Sequence, residues 1–186
     1  MTPTTDVPVP GEGPWTLEVL GEPAAALIVF GEAAPQGSKR HVGGGRMIES
    51  SKKVAPWRKA VYEAARAQSI DWCGQGHVWD PLDGPLVADF VFTMPKGSTL
   101  PKWRDWHDKV PDLSKLARST EDALTGVVWA DDARVTAYRR LEKRYVGSDD
   151  PDTLPIPGAV IRVWTVPTPL IEARRASVRH TPRSNP

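Results

Sequence analysis

A tandem of acids, Asp131-Asp132, follows Gly126-Val-Val-Trp129 after a single alanine and precedes a strand-forming stretch. The short link returns the start of that strand to the neighbourhood of the preceding helix, so a carboxylate on one element can face a carboxylate on the other. Converging carboxylates repel each other unless a hard divalent cation such as Mg²⁺ lies between them. A cation so held can activate water and stabilise in-line displacement at phosphorus. The same tandem also suits a plain turn or helix cap. The preceding helix carries a second group. Ser114, Arg118 and Glu121 fall within about 60° of one another, on a face adjoining the apolar one. Asp112 opens that helix, where unpaired amides and the helix dipole favour a carboxylate. Glu121 lies about 10 Å along the axis from Ser114. It therefore does not share a coordination point with Ser114, and is left with an i,i+3 ion pair to Arg118 or a role at a distance.

These residues need elements to hold them. Ala25-Ala-Leu-Ile-Val-Phe30 predicts a first strand. Gly31 to Gly45, with Pro35-Gln-Gly37 and three consecutive glycines, reads as a mobile basic loop. A helix is expected over 55–68, with Pro56 in its first turn and a buried stripe of Trp57, Ala60, Val61, Ala64 and Ala65. Over 86–94, Leu86, Ala88, Phe90, Phe92 and Met94 alternate with Val87, Asp89, Val91 and Thr93, the pattern of a half-buried strand. Pro95 to Pro111 forms a second basic loop. A helix over 112–124 buries Leu113, Leu116, Ala117, Thr120, Ala123 and Leu124, and Gly126 ends it. Strands are expected at 134–146 and 159–166. The order β-α-β-α-β-β predicts one α/β (α+β) domain over 24–166 with a mixed sheet. Residues 1–23 hold five prolines, and residues 167–186 hold four prolines and four arginines. Both ends read as flexible or loosely docked.

Net charge is only +1, but its distribution is uneven. Residues 1–38 contain five acids and no Lys or Arg, which leaves a surplus of six positive charges on the rest. Within 38–68, eight bases face Glu49 and Glu63 alone. Such a surplus attracts a polyanion, or simply solvates a loop and a helix face. Lys39, Arg40 and Arg46 on the glycine-rich loop suit phosphates, which need charge rather than sequence-reading contacts. Trp103 and Trp106, among Lys102, Arg104 and Lys109, suit stacking on unpaired bases or anchoring of their own loop. The single cysteine, Cys73, excludes an internal disulfide and any Cys-based zinc site, and fits a reducing cytoplasm. His41, His77, His107 and His180 show no metal-ligand spacing. No apolar run nears the roughly 18 residues of a membrane span, and the first residues lack the pattern of a secretory leader.

Three ordered parts resemble the RusA family of Holliday-junction endodeoxyribonucleases, often encoded by phages and prophages. The first is a strand and basic loop, Phe30-Gly31 through Pro35-Gln-Gly-Ser-Lys-Arg40. The second is Pro111-Asp-Leu-Ser114 with a helix ending Asp122-Ala-Leu124, where the family has Pro-Asp-Leu-Asp. The third is Trp129-Ala-Asp-Asp-Ala-Arg-Val135. The resemblance covers about residues 25–166. It implies a homodimer that uses Mg²⁺, or Mn²⁺ as a substitute, to cut opposed strands of a four-way DNA junction, in the host cytoplasm if phage-encoded. It implies that Asp112 and Asp132 are catalytic metal ligands. It places Ser114 at a third ligand position, where a hydroxyl replaces a carboxylate. A catalytic helical Lys of the family falls on Arg118, which keeps the charge but not a titratable amine. The alternative is a weak or inactive junction-binding protein of the same fold.

Overall fold

The computed structural model describes residues 15–37, 39–41, 47–49 and 52–167, with the backbone alone for 39–41 and 47–49. Along the chain run α1 (Leu17–Leu20), β1 (Ala25–Phe30), β2 (Lys39–His41), β3 (Met47–Glu49), α2 (Val54–Gly74), β4 (Leu86–Met94), α3 (Leu113–Leu124), β5 (Val135–Tyr145) and β6 (Gly158–Thr165). Four strands form a mixed sheet in the order β1-β6-β4-β5. β6 is antiparallel to β1 and β4, whereas β4 and β5 are parallel. A parallel pair requires a crossover, and α3 supplies it. The helix thus runs back along the sheet, starting near the end of β4 and finishing near the start of β5.

The core lies between the sheet and the two long helices. Trp57, Val61 and Ala65 of α2 and Leu116, Ala117 and Leu124 of α3 bury against sheet residues including Phe90, Phe92 and Ile161. These are the apolar stripes that the helical period predicts. The Trp57 indole N–H donates to the Thr120 hydroxyl at 3.1 Å, and that hydroxyl donates to the Leu116 carbonyl at 2.9 Å. Both buried polar groups are therefore satisfied, and the two helices are locked in register.

Four features differ from the expectation. Helix α2 continues past residue 68 to Gly74. Its apolar stripe ends at Ala65, and its last turns expose Ile70 and Trp72, so periodicity does not mark them. No Gly or Pro stands between Arg66 and Cys73 to stop it. Part of the expected 31–45 loop is strand, because Lys39–His41 pairs antiparallel with Met47–Glu49. Strand β4, expected to be half-buried, is buried along its whole length. Its second face is covered by distant parts of the chain: Val87 packs with Leu20 and Trp164, and Asp89 is enclosed by arginines of β5.

The fourth difference sets the geometry of the site. Two bulges interrupt β5, between the pairs Leu86↔Val135 and Val87↔Ala137, and between Ala88↔Tyr138 and Asp89↔Arg140. A bulge inserts one residue and reverses the alternation beyond it. At the second bulge both Arg139 and Arg140 turn toward Asp89. The Arg139 guanidinium donates twice to its carboxylate, and the Arg140 backbone N–H donates at 3.0 Å. Tyr138, Leu141 and Lys143 consequently all face the side of the sheet that carries α3.

Candidate active site

Asp112 stands at the N-cap position of α3, with extended backbone, but its side chain does not cap the helix. It pairs instead with Lys115 Nζ at 2.9 Å, both groups being exposed. The Lys115 ammonium, with a smaller contribution from Lys143, holds the Asp112 carboxyl below the usual carboxylate range. Asp112 and Lys115 open onto a cleft of about 410 Å³ whose other wall includes Glu32, Pro35 and Lys53. The loop before Asp112 is fastened to β5. His107 N–H donates to the Lys143 carbonyl at 3.1 Å, and Tyr145 N–H donates to the Asp105 carbonyl at 2.7 Å. Lys143 Nζ donates to the carbonyls of Lys109 and Pro111, each at 2.6 Å.

The acidic tandem divides into two roles. Asp131 accepts the Ala133 N–H at 2.9 Å and caps the short 3₁₀ turn Asp132–Arg134. Asp132 is exposed, and its carboxylate makes none of the side-chain hydrogen bonds or ion pairs found among the described residues. The turn that carries it is tied down by Trp129, buried and donating to the Thr125 hydroxyl at 3.2 Å, and by the Ala130 N–H on the Leu82 carbonyl at 3.0 Å. Arg134 is held by Asp83 at 2.7 Å.

Glu121 faces Asp132 from the helix, as the short link between the elements suggests. Its partner is not Arg118, with which it forms no ion pair. It accepts a short hydrogen bond from the Tyr138 hydroxyl on β5. Burial raises the Glu121 carboxyl above its ordinary value. Tyr138 partly offsets the rise, and the negative charge of Asp132 adds to it. The same burial and the same two carboxylates drive the Tyr138 phenol strongly upward, so it remains a donor. Tyr138 escaped the sequence analysis because the bulges erase the alternation that would assign its face. Lys143 escaped for the same reason.

Asp112 and Asp132 therefore sit toward opposite ends of α3, a helix of 12 residues and about 18 Å. Ser114 and Arg118 are exposed between them. Asp112, Ser114 and Asp132 of one chain do not fit a single cation. Among the described residues no three His, Cys, Asp or Glu side chains converge as a metal would require. Lys39 and Arg40 lie on β2, and Arg46 lies outside the described residues. The two tryptophans part company. Trp103 is 78% exposed on the turn closed by Arg104 N–H and the Pro101 carbonyl. Trp106 carries the Arg144 guanidinium 3.5 Å above its ring centre, so one face of its indole is occupied. No described helix is long and apolar enough to cross a membrane.

Comparison with known proteins bears on this arrangement. No curated protein matches the chain. The family model described as Endodeoxyribonuclease RusA matches residues 31–152, about two thirds of the sequence, from just after β1 to the turn before β6. That span contains α3, both of its acidic ends and the strand that fastens them, and the chain belongs to the RusA endodeoxyribonuclease family.

Proposed function

We propose that the protein is a catalytically competent, divalent-metal-dependent nuclease that resolves four-way and related branched DNA by phosphodiester hydrolysis, acting as a homodimer with Mg²⁺ as the ordinary ion. The observation that carries this reading is the family match across residues 31–152, which spans two exposed carboxylates, Asp112 and Asp132. We assign both to the reaction. Since one chain keeps them apart, the assignment pairs Asp112 of one copy with Asp132 of the other. An isologous dimer suits this, because a two-fold axis across α3 sets the start of one helix beside the end of its mate. Arg118, midway along the same face, steadies negative charge on the phosphate. Lys39, Arg40 and Arg46 neutralise the DNA backbone, and Trp103 offers its free indole to an exposed base.

One observation favours a second reading, a junction-binding protein with little or no cleavage. Ser114 replaces a family carboxylate, and a neutral hydroxyl is a weaker ligand for a hard cation. The test is cleavage of a synthetic four-way junction with Mg²⁺ and with chelator, by wild type, Ser114→Ala and Ser114→Asp. Nuclease action predicts Mg²⁺-dependent cuts by wild type and a lower Mg²⁺ requirement for Ser114→Asp. Binding without cutting by wild type, with cleavage appearing only in Ser114→Asp, would establish the second reading.

A further inference from the structure

We propose that Lys143 is a positioning residue for Asp112: from β5 it clamps the backbone that delivers this carboxylate to the nuclease site. The inference rests on the assignment of Asp112 above. An ammonium has three N–H donors. Lys143 uses two of them at 2.6 Å on the carbonyls of Lys109 and Pro111, the second of which immediately precedes Asp112. Both are charge-assisted bonds, about twice as strong as neutral ones. Burial lowers the proton affinity of Lys143, and the nearby charge of Asp112 partly restores it.

The clamp matters because little else holds Asp112 from its N-terminal side. The Asp112 carboxylate forms no cap bond to its own helix. Val110 is exposed and unanchored by packing. The other fastenings of the loop, at Asp105 to His107, lie several residues upstream. Lys143 reaches this backbone only because the bulge at Arg139 turns it to the α3 side. A lysine serving as a phosphate contact would extend its head into water, whereas this one has committed two donors to carbonyls. Reacting groups tolerate little displacement, and about 1 Å can cost a hundredfold in rate.

The experiment compares wild type with Lys143→Met, which keeps most of the stem and loses the ammonium, and with Lys143→Arg, which keeps the charge. Amide hydrogen exchange is read on the metal-free protein, and junction binding and single-turnover cleavage are read with Mg²⁺. In Lys143→Met, exchange of the His107 amide, which is bonded to the Lys143 carbonyl at 3.1 Å, should quicken by about tenfold or more, as expected when nearby charge-assisted bonds are lost, with the α2 and β4 amides unchanged. Cleavage should slow by about ten- to a hundredfold at unchanged junction affinity, and Lys143→Arg should recover part of it. If Lys143→Met does not fold, Lys143→Gln is read the same way. Unchanged exchange at the His107 amide, or faster exchange there with cleavage at the wild-type rate, would overturn the proposal. So would weaker junction binding with a shallower salt dependence, which marks a phosphate contact. A wild type that cuts no junction would overturn the nuclease reading instead, and the exchange result would still decide the clamp.

Discussion

Asp89→Ala should be among the most damaging single substitutions outside the apolar core. Asp89 is fully buried. It accepts two N–H groups from the Arg139 guanidinium and the backbone N–H of Arg140. Truncation leaves a half-buried guanidinium, stacked on Trp164 at 5.2 Å, without its counter-charge. Breaking one side of a buried ion pair costs about 3–5 kcal/mol. For a chain of this size, about 2–4 °C of Tm is lost per kcal/mol, so the fall should be about 6–20 °C. Removing both partners should behave differently. Burial raises the proton affinity of Asp89 even though Arg139 and Arg140 oppose it, and a buried ion pair gains little over apolar side chains of similar volume. Asp89→Leu combined with Arg139→Met should therefore regain most of the loss, a positive coupling of about 1–3 kcal/mol. Thermal and urea unfolding of wild type, Asp89→Leu, Arg139→Met and the double variant measure the coupling, and Asp89→Ala beside them measures the truncation. An Asp89→Ala protein within about 1 kcal/mol of wild type, or a double variant worse than either single one, would refute the reasoning.

Two further outcomes separate roles that look alike in the sequence. Trp106→Ala should lower stability by about 0.5–2 kcal/mol through loss of the Arg144 stack. Trp103→Ala should leave Tm unchanged and weaken junction binding by about 1–3 kcal/mol, and equal effects of the two in melting and binding assays would contradict the assignment. Glu121 binds its proton more tightly in the folded chain than its ordinary value of 4.5. Its favourable contribution is therefore complete below that value and is lost as pH rises through the higher folded value. Glu121→Gln should gain stability relative to wild type as pH rises above about 4.5, and a difference in Tm that does not change with pH would exclude this.

Much of the fold was legible because most elements follow one period. Trp57, Val61 and Ala65 mark α2, Leu116, Thr120 and Leu124 mark α3, and the apolar run Ala25–Phe30 is found as strand β1. The sequence of β4 also alternates, yet the strand is buried on both faces. Its second cover comes from Leu20, Trp164 and the β5 arginines, which its own pattern does not encode. In β5 two inserted residues scramble the period, so nothing local says that Tyr138 and Lys143 share a face. The candidate site shows the same division. The short link from Gly126 to Asp132 correctly brings a carboxylate back to the helix. Spacing along a helix, however, leaves open which strand residue will meet Glu121, and Tyr138 displaces the expected partner Arg118. The tandem likewise conceals that Asp131 is a cap and that the Asp132 carboxylate has no partner among the described residues, since that depends on the 3₁₀ turn that follows.

Mixed dimers test the joint use of Asp112 and Asp132 most directly. Asp112→Asn and Asp132→Asn should each bind a four-way junction and fail to cut it. Co-expressed with different tags and purified as the mixed dimer, the two variants should regain Mg²⁺-dependent cleavage. One of the two sites then holds Asp112 from one copy and Asp132 from the other, and the product should be a nick in one strand. A mixed dimer as inactive as its parents, beside a wild type that cuts, would contradict the pairing of these two carboxylates across copies.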